Sequence, residues 1–235
     1  MAGTTRGSII LVTRNNTMKL IDLSHVIEPG LVTYPGLPTP LICDFLSRGQ
    51  SRQHYAPGTE FHIGRIDMVG NTGTYVDAPF HRFAEGMSLA ELPLDCVAQI
   101  PAVVVRPKLD GRRDIGAEHF AKIACAGRAV LVETGWSRHW ATETYLSGHP
   151  FLTRDAAKIL RDRGAKLVGI DSLNIDSTDD LNRPVHTTLL GADIPICEHL
   201  CCLEQLPAEG FTFSAVPVKV KSFGSFPVRA YAALP

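Results

Sequence analysis

The stretch LTRDAAKILRDRGAKLVGID, residues 152–171, limits the possible folds more than any other part of the chain. Thr153 can cap a helix, with Asp155 in the first turn, and Ala156, Ile159 and Leu160 then form an apolar stripe. Gly164 suits the position just past the helix, and KLVGID follows as a strand. A helix that feeds directly into an apolar strand needs a sheet to pack on. AVVVR (102–106) and AVLVETG (129–135) are apolar runs of strand length, suited to strands buried on both faces. Between them, GAEHFAKIACAG (116–127) has helical spacing. The pattern predicts an α/β fold with parallel pairing. Asp171 stands at the C-terminal end of its strand, where open α/β sheets tend to place ligand sites.

The flanking regions read differently. KLIDLS (19–24) is a short strand. HVIEPGLVTYPGLPTPLI (25–42) is rich in proline and glycine and reads as a loop wrapped over the body. FHIGRIDMV (61–69) is a strand of mixed facing, and FTFSAVPVKVKSFGSFPVRAYAAL (211–234) reads as two antiparallel strands around a glycine-containing turn. No repeat or linker divides the chain, so residues 18–235 are expected to form one domain. Residues 1–17 are expected to be a flexible extension ahead of Met18.

Composition narrows the partners. Hydrophobic residues make up 45% and charged residues 20%, with a formal net charge of -1. Such a chain has no basic field to hold nucleic acid or an anionic membrane, so the expected partner is a small molecule. No apolar run approaches the ~20 residues of a membrane span, and no secretory leader is evident. The six cysteines include no CxxC pair and read as reduced thiols of a cytoplasmic protein. Cys197 and Cys201 read as small apolar residues on a buried face rather than as a metal clip.

The chemistry gathers in NTGTYVDAPFH (71–81). Gly73 and Thr74 allow a sharp turn, and Pro79 stiffens the segment that carries Asp77 and His81. Asp77 offers a hard oxygen ligand, and His81 a metal-binding nitrogen or a base. Equally, Asp77 could cap backbone N–H groups and His81 could be a half-buried histidine. In RPVHTTLLGADIPICEHL (183–200), His186 and Glu198 are both metal-ligand types. They would meet only across a loop or between two elements. Taken alone they could be a surface histidine and a glutamate at a helix start.

Together these segments resemble the cyclase-like family of metal-dependent hydrolases, of the bacterial kynurenine formamidase and isatin hydrolase type. The family's motif H-x-G-T-H-x-D-x-P-x-H stands here as Asn71-Thr-Gly-Thr-Tyr75-Val-Asp77-Ala-Pro79-Phe-His81. The resemblance extends over LVETGW, KLVGIDSLNID, the His-to-Glu segment and FPVRA. It implies a swivelling β/β/α architecture with a mixed sheet, and a homodimer. It implies a hydrolase of a small amide, such as an aryl formamide, or of a cyclic amide or lactone. Asp77, His186 and Glu198 would hold one divalent zinc or manganese ion, and His81 would act in catalysis. Asn71 and Tyr75 replace two ligand histidines. An amide carbonyl and a neutral phenol are weak ligands, so half of a metal site is expected. Tyr75 could instead donate to an oxyanion or simply fill space, and Tyr34 could roof the substrate. Asp171 and Asp176 are plausible acceptors for a ligand imidazole. The alternative is a metal-free member, either a binding protein or an enzyme using His81 and Tyr75 as acid and base. Metal content separates these readings.

Overall fold

The computed structural model describes residues 18–235, and the extension expected at 1–17 lies outside them. A nine-stranded mixed sheet forms the body. The described strands are β1 (Lys19–Asp22), β2 (Leu41–Leu46), β3 (Ile63–Asp67), β4 (Tyr75–Asp77), β5 (Ile100–Val105), β6 (Asp114–Ile115), β7 (Ala129–Val132), β8 (Phe151–Leu152), β9 (Leu167–Ile170), β10 (Ile196–Glu198), β11 (Glu209–Ser214), β12 (Ser225–Pro227) and β13 (Tyr231–Leu234). The helices are α1 (Arg48–Ser51), α2 (Arg154–Asp162) and α3 (Pro184–Leu190). The sheet runs β1-β13-β11-β5-β7-β9-β10-β4-β12. Its centre, β5 to β10, is parallel, and both flanks are antiparallel.

The apolar runs explain that centre. In β5 and β7 alternate residues feed two cores: Ala102, Val104, Ala129 and Leu131 face one, and Val103, Val105, Val130 and Val132 face the other. A strand buried on both faces can spare no polar position. The second core is covered by α2, through Ala156, Ala157 and Leu160, and by α3, through Val185, Leu189 and Leu190. Thr153 caps α2 as its sequence predicts, accepting from the Ala156 N–H at 3.2 Å, and Gly164 ends it in the left-handed conformation at φ 72°.

Three expectations need correction. Residues 116–127 form only a 3-10 turn at Ala117–His119. The buried hydrophobic residues of this stretch are Phe120 and Cys125, and with Ile115 just before it they recur every five residues, a spacing that no single helix face accommodates. The C-terminal region is not a hairpin. β11 and β13 are antiparallel neighbours, but the chain between them leaves to add β12 beside β4 at the far edge. Pro227 lies in that edge strand, where a missing N–H costs little. Third, the loop expected over 25–42 gives way at Leu41 to β2, which pairs with β3, the strand expected within 61–69, as a ribbon with α1 between them. Every β3 residue is exposed, and so are the first five of β2.

Candidate active site

Strand β4 sets the site. Its two-residue period puts Tyr75 and Asp77 on one face and sends Val76 to the core on the other. The strand is flanked on both sides. Glu198 of β10 lies opposite Tyr75, and Ser225 of β12 lies opposite Asp77. The turn that leads into β4 needs glycine: Gly73 has φ +67°, and a Cβ there would lie 2.8 Å from Ile27. Its N–H donates to Thr33 Oγ1 at 2.9 Å, which fastens the proline-rich loop over the motif.

Each site side chain has a defined partner. The Tyr75 hydroxyl donates to Glu198 Oε2 at 2.5 Å, and the Ile175 N–H donates to Oε1 at 2.6 Å. The tyrosine is 3% exposed and Glu198 not at all. Tyr75 therefore spends its one proton on Glu198. Burial, reinforced by the Glu198 and Asp77 charges, pushes the phenol well above its ordinary pKa. Burial likewise pushes Glu198 up to about 7, against the pull of His186.

His186 enters from α3, buried rather than at the surface. Asp176 accepts from the N–H groups of Val185 and His186 at 2.7 and 2.9 Å, and from His186 Nδ1 at 2.7 Å. One carboxylate thus caps the helix and fixes the imidazole tautomer, which leaves Nε2 facing Asp77 Oδ2 at 3.6 Å and Glu198 Oε1 at 3.7 Å. Burial works against a charged imidazole here. The bonds to Asp176 and Asp77 outweigh it and raise the pKa to about 10.

His81 sits on the 3-10 turn Pro79–His81. Its Nδ1 is 2.9 Å from Ser225 Oγ, and Ser225 in turn donates to Asp77 Oδ1. Because the serine proton goes to the carboxylate, Nδ1 must be the donor to Oγ, and Nε2 is left as the basic nitrogen. Ser225 thus joins His81 and Asp77, whose direct separation is 3.8 Å. Burial alone would raise the Asp77 pKa, but the His81 and His186 charges hold it below the usual carboxylate range. Gly224 packs against this turn so closely that a Cβ would come within 2.6 Å of His81 Cα.

The sequence-predicted residues largely come together. A cavity of about 280 Å³ has the buried Tyr75, Asn174, His186 and Glu198 at its inner end, with the half-buried Tyr34, Leu37, Asn71 and Arg183 and the exposed His81 and Arg82 completing its lining. Asp77 lies beneath it, and the Asn71 amide reaches Asp77 Oδ1 only at 3.4 Å. Of the two candidate acceptors, Asp176 holds His186, whereas Asp171 accepts from Thr134 and from the Gly135 N–H. Trp136 and Trp140 are not among the cavity-lining residues, and Trp140 stacks on His25 at 4.0 Å. Cys197 is buried and Cys201 half-buried. Reading the sequence missed Ser225, Arg82 and Arg183. A left-handed φ of 46° at Arg183, just before α3, is visible only in three dimensions.

The "Putative cyclase" family model matches residues 21–177. The chain belongs to the cyclase family. It is 27% identical to a kynurenine formamidase of Bacillus anthracis over 216 residues, 91% of this chain and 97% of that one. Among solved structures, isatin hydrolase A from Labrenzia aggregata superposes with a TM-score of 0.78 at 24% identity, covering 92% of this chain and 94% of that chain. A structure described as a potential metal-dependent hydrolase with cyclase activity gives a TM-score of 0.75 at 26% identity, covering 93% and 98%.

This cyclase-family site has the donors for one ion. Asp77, His81 and His186 each place a ligand atom within 4.8 Å of the others, the only such group of three among the described residues. Asp77 Oδ2 is buried with no hydrogen-bond partner, although an orphaned carboxylate oxygen is costly. A divalent cation beside His186 Nε2 would satisfy it. The convergent group contains His81 rather than Glu198, whose Oε1 is 3.7 Å from His186 Nε2 and whose two oxygens accept from Ile175 and Tyr75.

Proposed function

We propose that this protein hydrolyses the C–N bond of small aryl amides, with aryl formamides as the leading substrates. The observation that carries this reading is the convergence of Asp77, His81 and His186 at the cavity, with His81 Nε2 left free. The likeness to a kynurenine formamidase supports it.

Asp77 and His186, with Glu198 beside them, would hold one zinc or manganese ion and leave His81 Nε2 outside the ligand set, and such an ion would supply carbonyl polarisation and a lowered water pKa. The chain's own residues do the rest. His81 Nε2 takes the proton of the attacking water and returns it to the leaving nitrogen, while the Ser225 bridge to the Asp77 carboxylate orients the ring and stabilises the imidazolium that forms. Tyr75 acts through Glu198, which it fixes at the cavity wall. Tyr34 and Asn71 stand where they would touch substrate.

The test pairs elemental analysis with turnover of aryl formamides, isatin and lactones by the wild-type protein, Asp77→Ala and His186→Ala. About one ion per chain together with formamide hydrolysis, both lost in the variants, supports the reading. Turnover without any ion would favour the metal-free acid–base alternative, for which the raised His186 pKa already provides an internal cation.

We also propose a homodimer. Phe45, Phe61, Ile63 and Ile66 of the ribbon are 71%, 53%, 47% and 48% exposed. A two-stranded ribbon is marginally stable alone, and exposed apolar side chains concentrated on one ribbon favour its burial against a second copy. Sedimentation analysis decides the point.

A further inference from the structure

Three consecutive residues after β9 converge on the inner end of the cavity. The Ile175 N–H donates to Glu198 Oε1, and the Asp176 carboxylate holds His186. The residue before them, Asn174, is 8% exposed and lines the same end.

The Asn174 side chain has one orientation. The Asp176 N–H donates to Asn174 Oδ1 at 3.0 Å, and a backbone N–H can only donate, so the atom facing it is the oxygen. The main-chain oxygen of Asn174 faces the Ser172 hydroxyl at 3.2 Å. Both oxygens are thus turned to protein. Nδ2 carries two N–H donors and has no acceptor among the described residues. It is not sealed from solvent, so it opens onto the cavity that Asn174 lines.

The other buried groups lining the cavity are already committed. Tyr75 spends its hydroxyl proton on Glu198, and both Glu198 oxygens accept. His186 Nε2 faces the carboxylates of Asp77 and Glu198 at 3.6 and 3.7 Å. Addition of water to an amide puts negative charge on the carbonyl oxygen, which carboxylates cannot stabilise. A preorganised N–H can, most strongly where burial excludes water. The donor role that the sequence leaves open for Tyr75 therefore falls to Asn174.

We infer that Asn174 is a catalytic residue whose Nδ2 donates to the carbonyl oxygen of the bound amide. Its part in catalysis rests on the aryl-amide hydrolase reading, whereas its part in binding does not. As the water oxygen bonds to the carbonyl carbon, the C=O π pair moves onto oxygen. The Nδ2–H bond to that oxygen strengthens while His81 Nε2 takes the water's proton. When the pair returns, the C–N bond breaks, its electrons leave with nitrogen, and His81 supplies the proton. Asn174 gives up no proton in either step. Its turn with Asp176 holds the donor in place, so no reorganisation is needed as the charge forms.

The test uses Asn174→Asp, which keeps an oxygen for the Asp176 N–H but loses the donors, and Asn174→Ala, which loses both. On an aryl formamide, kcat should fall about a hundred- to a thousandfold in both variants, with KM changed by less than about threefold. Unchanged kcat in either variant overturns the catalytic role. Titration with benzamide and thiobenzamide reads the same bond without turnover, because sulfur is the weaker acceptor. The wild-type preference for benzamide should exceed that of either variant by about fivefold, the value of one hydrogen bond. Formamide hydrolysis with the same preference in all three proteins overturns the donor and leaves the hydrolase reading standing, because a loss of rate alone is what a structural role would give. A preference that depends on Asn174, without turnover of any amide, overturns the hydrolase reading and leaves the donor standing.

Discussion

The inner end of the cavity and the β2–β3 ribbon are each incomplete, in opposite ways. Among the site side chains, the one fully buried polar atom without a hydrogen-bond partner is Asp77 Oδ2. In the ribbon the backbone bonds are made and the apolar side chains are left bare. The first deficit is atomic in scale and electrostatic, which an ion or small molecule can fill. The second is a surface, which only another surface can cover. The same chain therefore calls for two kinds of partner at two places.

Removing the centre of the inner cluster should give the largest effect. Asp77→Ala should lower kcat/KM at least about a hundredfold and abolish stoichiometric metal, read by elemental analysis. His186→Ala should cost about 3–5 kcal/mol in denaturant unfolding, because Asp77 and Asp176 lose their shared counter-charge. If that variant is as stable as wild type, the buried charges are not coupled as described. On the ribbon, Phe45→Asp with Ile66→Asp should weaken self-association by at least about a hundredfold while leaving the circular dichroism spectrum unchanged. A monomeric wild-type protein would remove the second half of the comparison.

A smaller effect comes from His25, stacked on Trp140. Burial lowers its pKa to about 4 from an ordinary 6.5. The unfolded chain therefore binds this proton at a higher pH than the folded chain does. Stability is fully present above about pH 6.5 and falls as the pH drops toward 4, by roughly 3 kcal/mol at most. Melting curves from pH 7 to 5 should show the loss, and His25→Gln should reduce it, with the buried His149 and His199 supplying the rest in the same direction. Tyr75→Phe should have the smallest effect, about 1–3 kcal/mol, since it leaves Glu198 Oε2 without its donor. Asn71→His combined with Tyr75→His sharpens the comparison further: restoring both motif imidazoles should raise bound metal per chain.

How much of this could be read from the sequence depends on how far apart the cooperating residues lie. The parallel centre was legible because Val103–Val105 and Val130–Val132 carry their burial in an unbroken apolar run. The α2 caps were legible because a cap and its helix are neighbours in the chain. Asp77, His81, His186 and Glu198 could be named through the motif, and Asp176 through its place after the KLVGID strand. Ser225 could not be named, because its role comes from cross-strand register with Asp77, 148 residues away. Arg82 and Arg183 were hidden for a related reason: only the fold shows that they line the cavity. The stretch 116–127 misled because alanines satisfy a helical pattern without burying anything. The strand at 63–67 was legible, but its partner β2 was not, because its start at Leu41 and Ile42 follows directly on a proline-rich stretch.

Gly224 gives the site a mechanical adjustment as well as a chemical one. His81 lies where it does partly because the residue beside its backbone has no side chain. A Gly224→Ala change would leave every reacting group in the molecule intact yet wedge the imidazole away from Ser225 and the cavity. Loss of rate in that variant would measure how much of the catalysis depends on where the base stands rather than on what it is. In relatives with the same titratable groups, the residue at this position could alter the rate without any change in the chemical inventory.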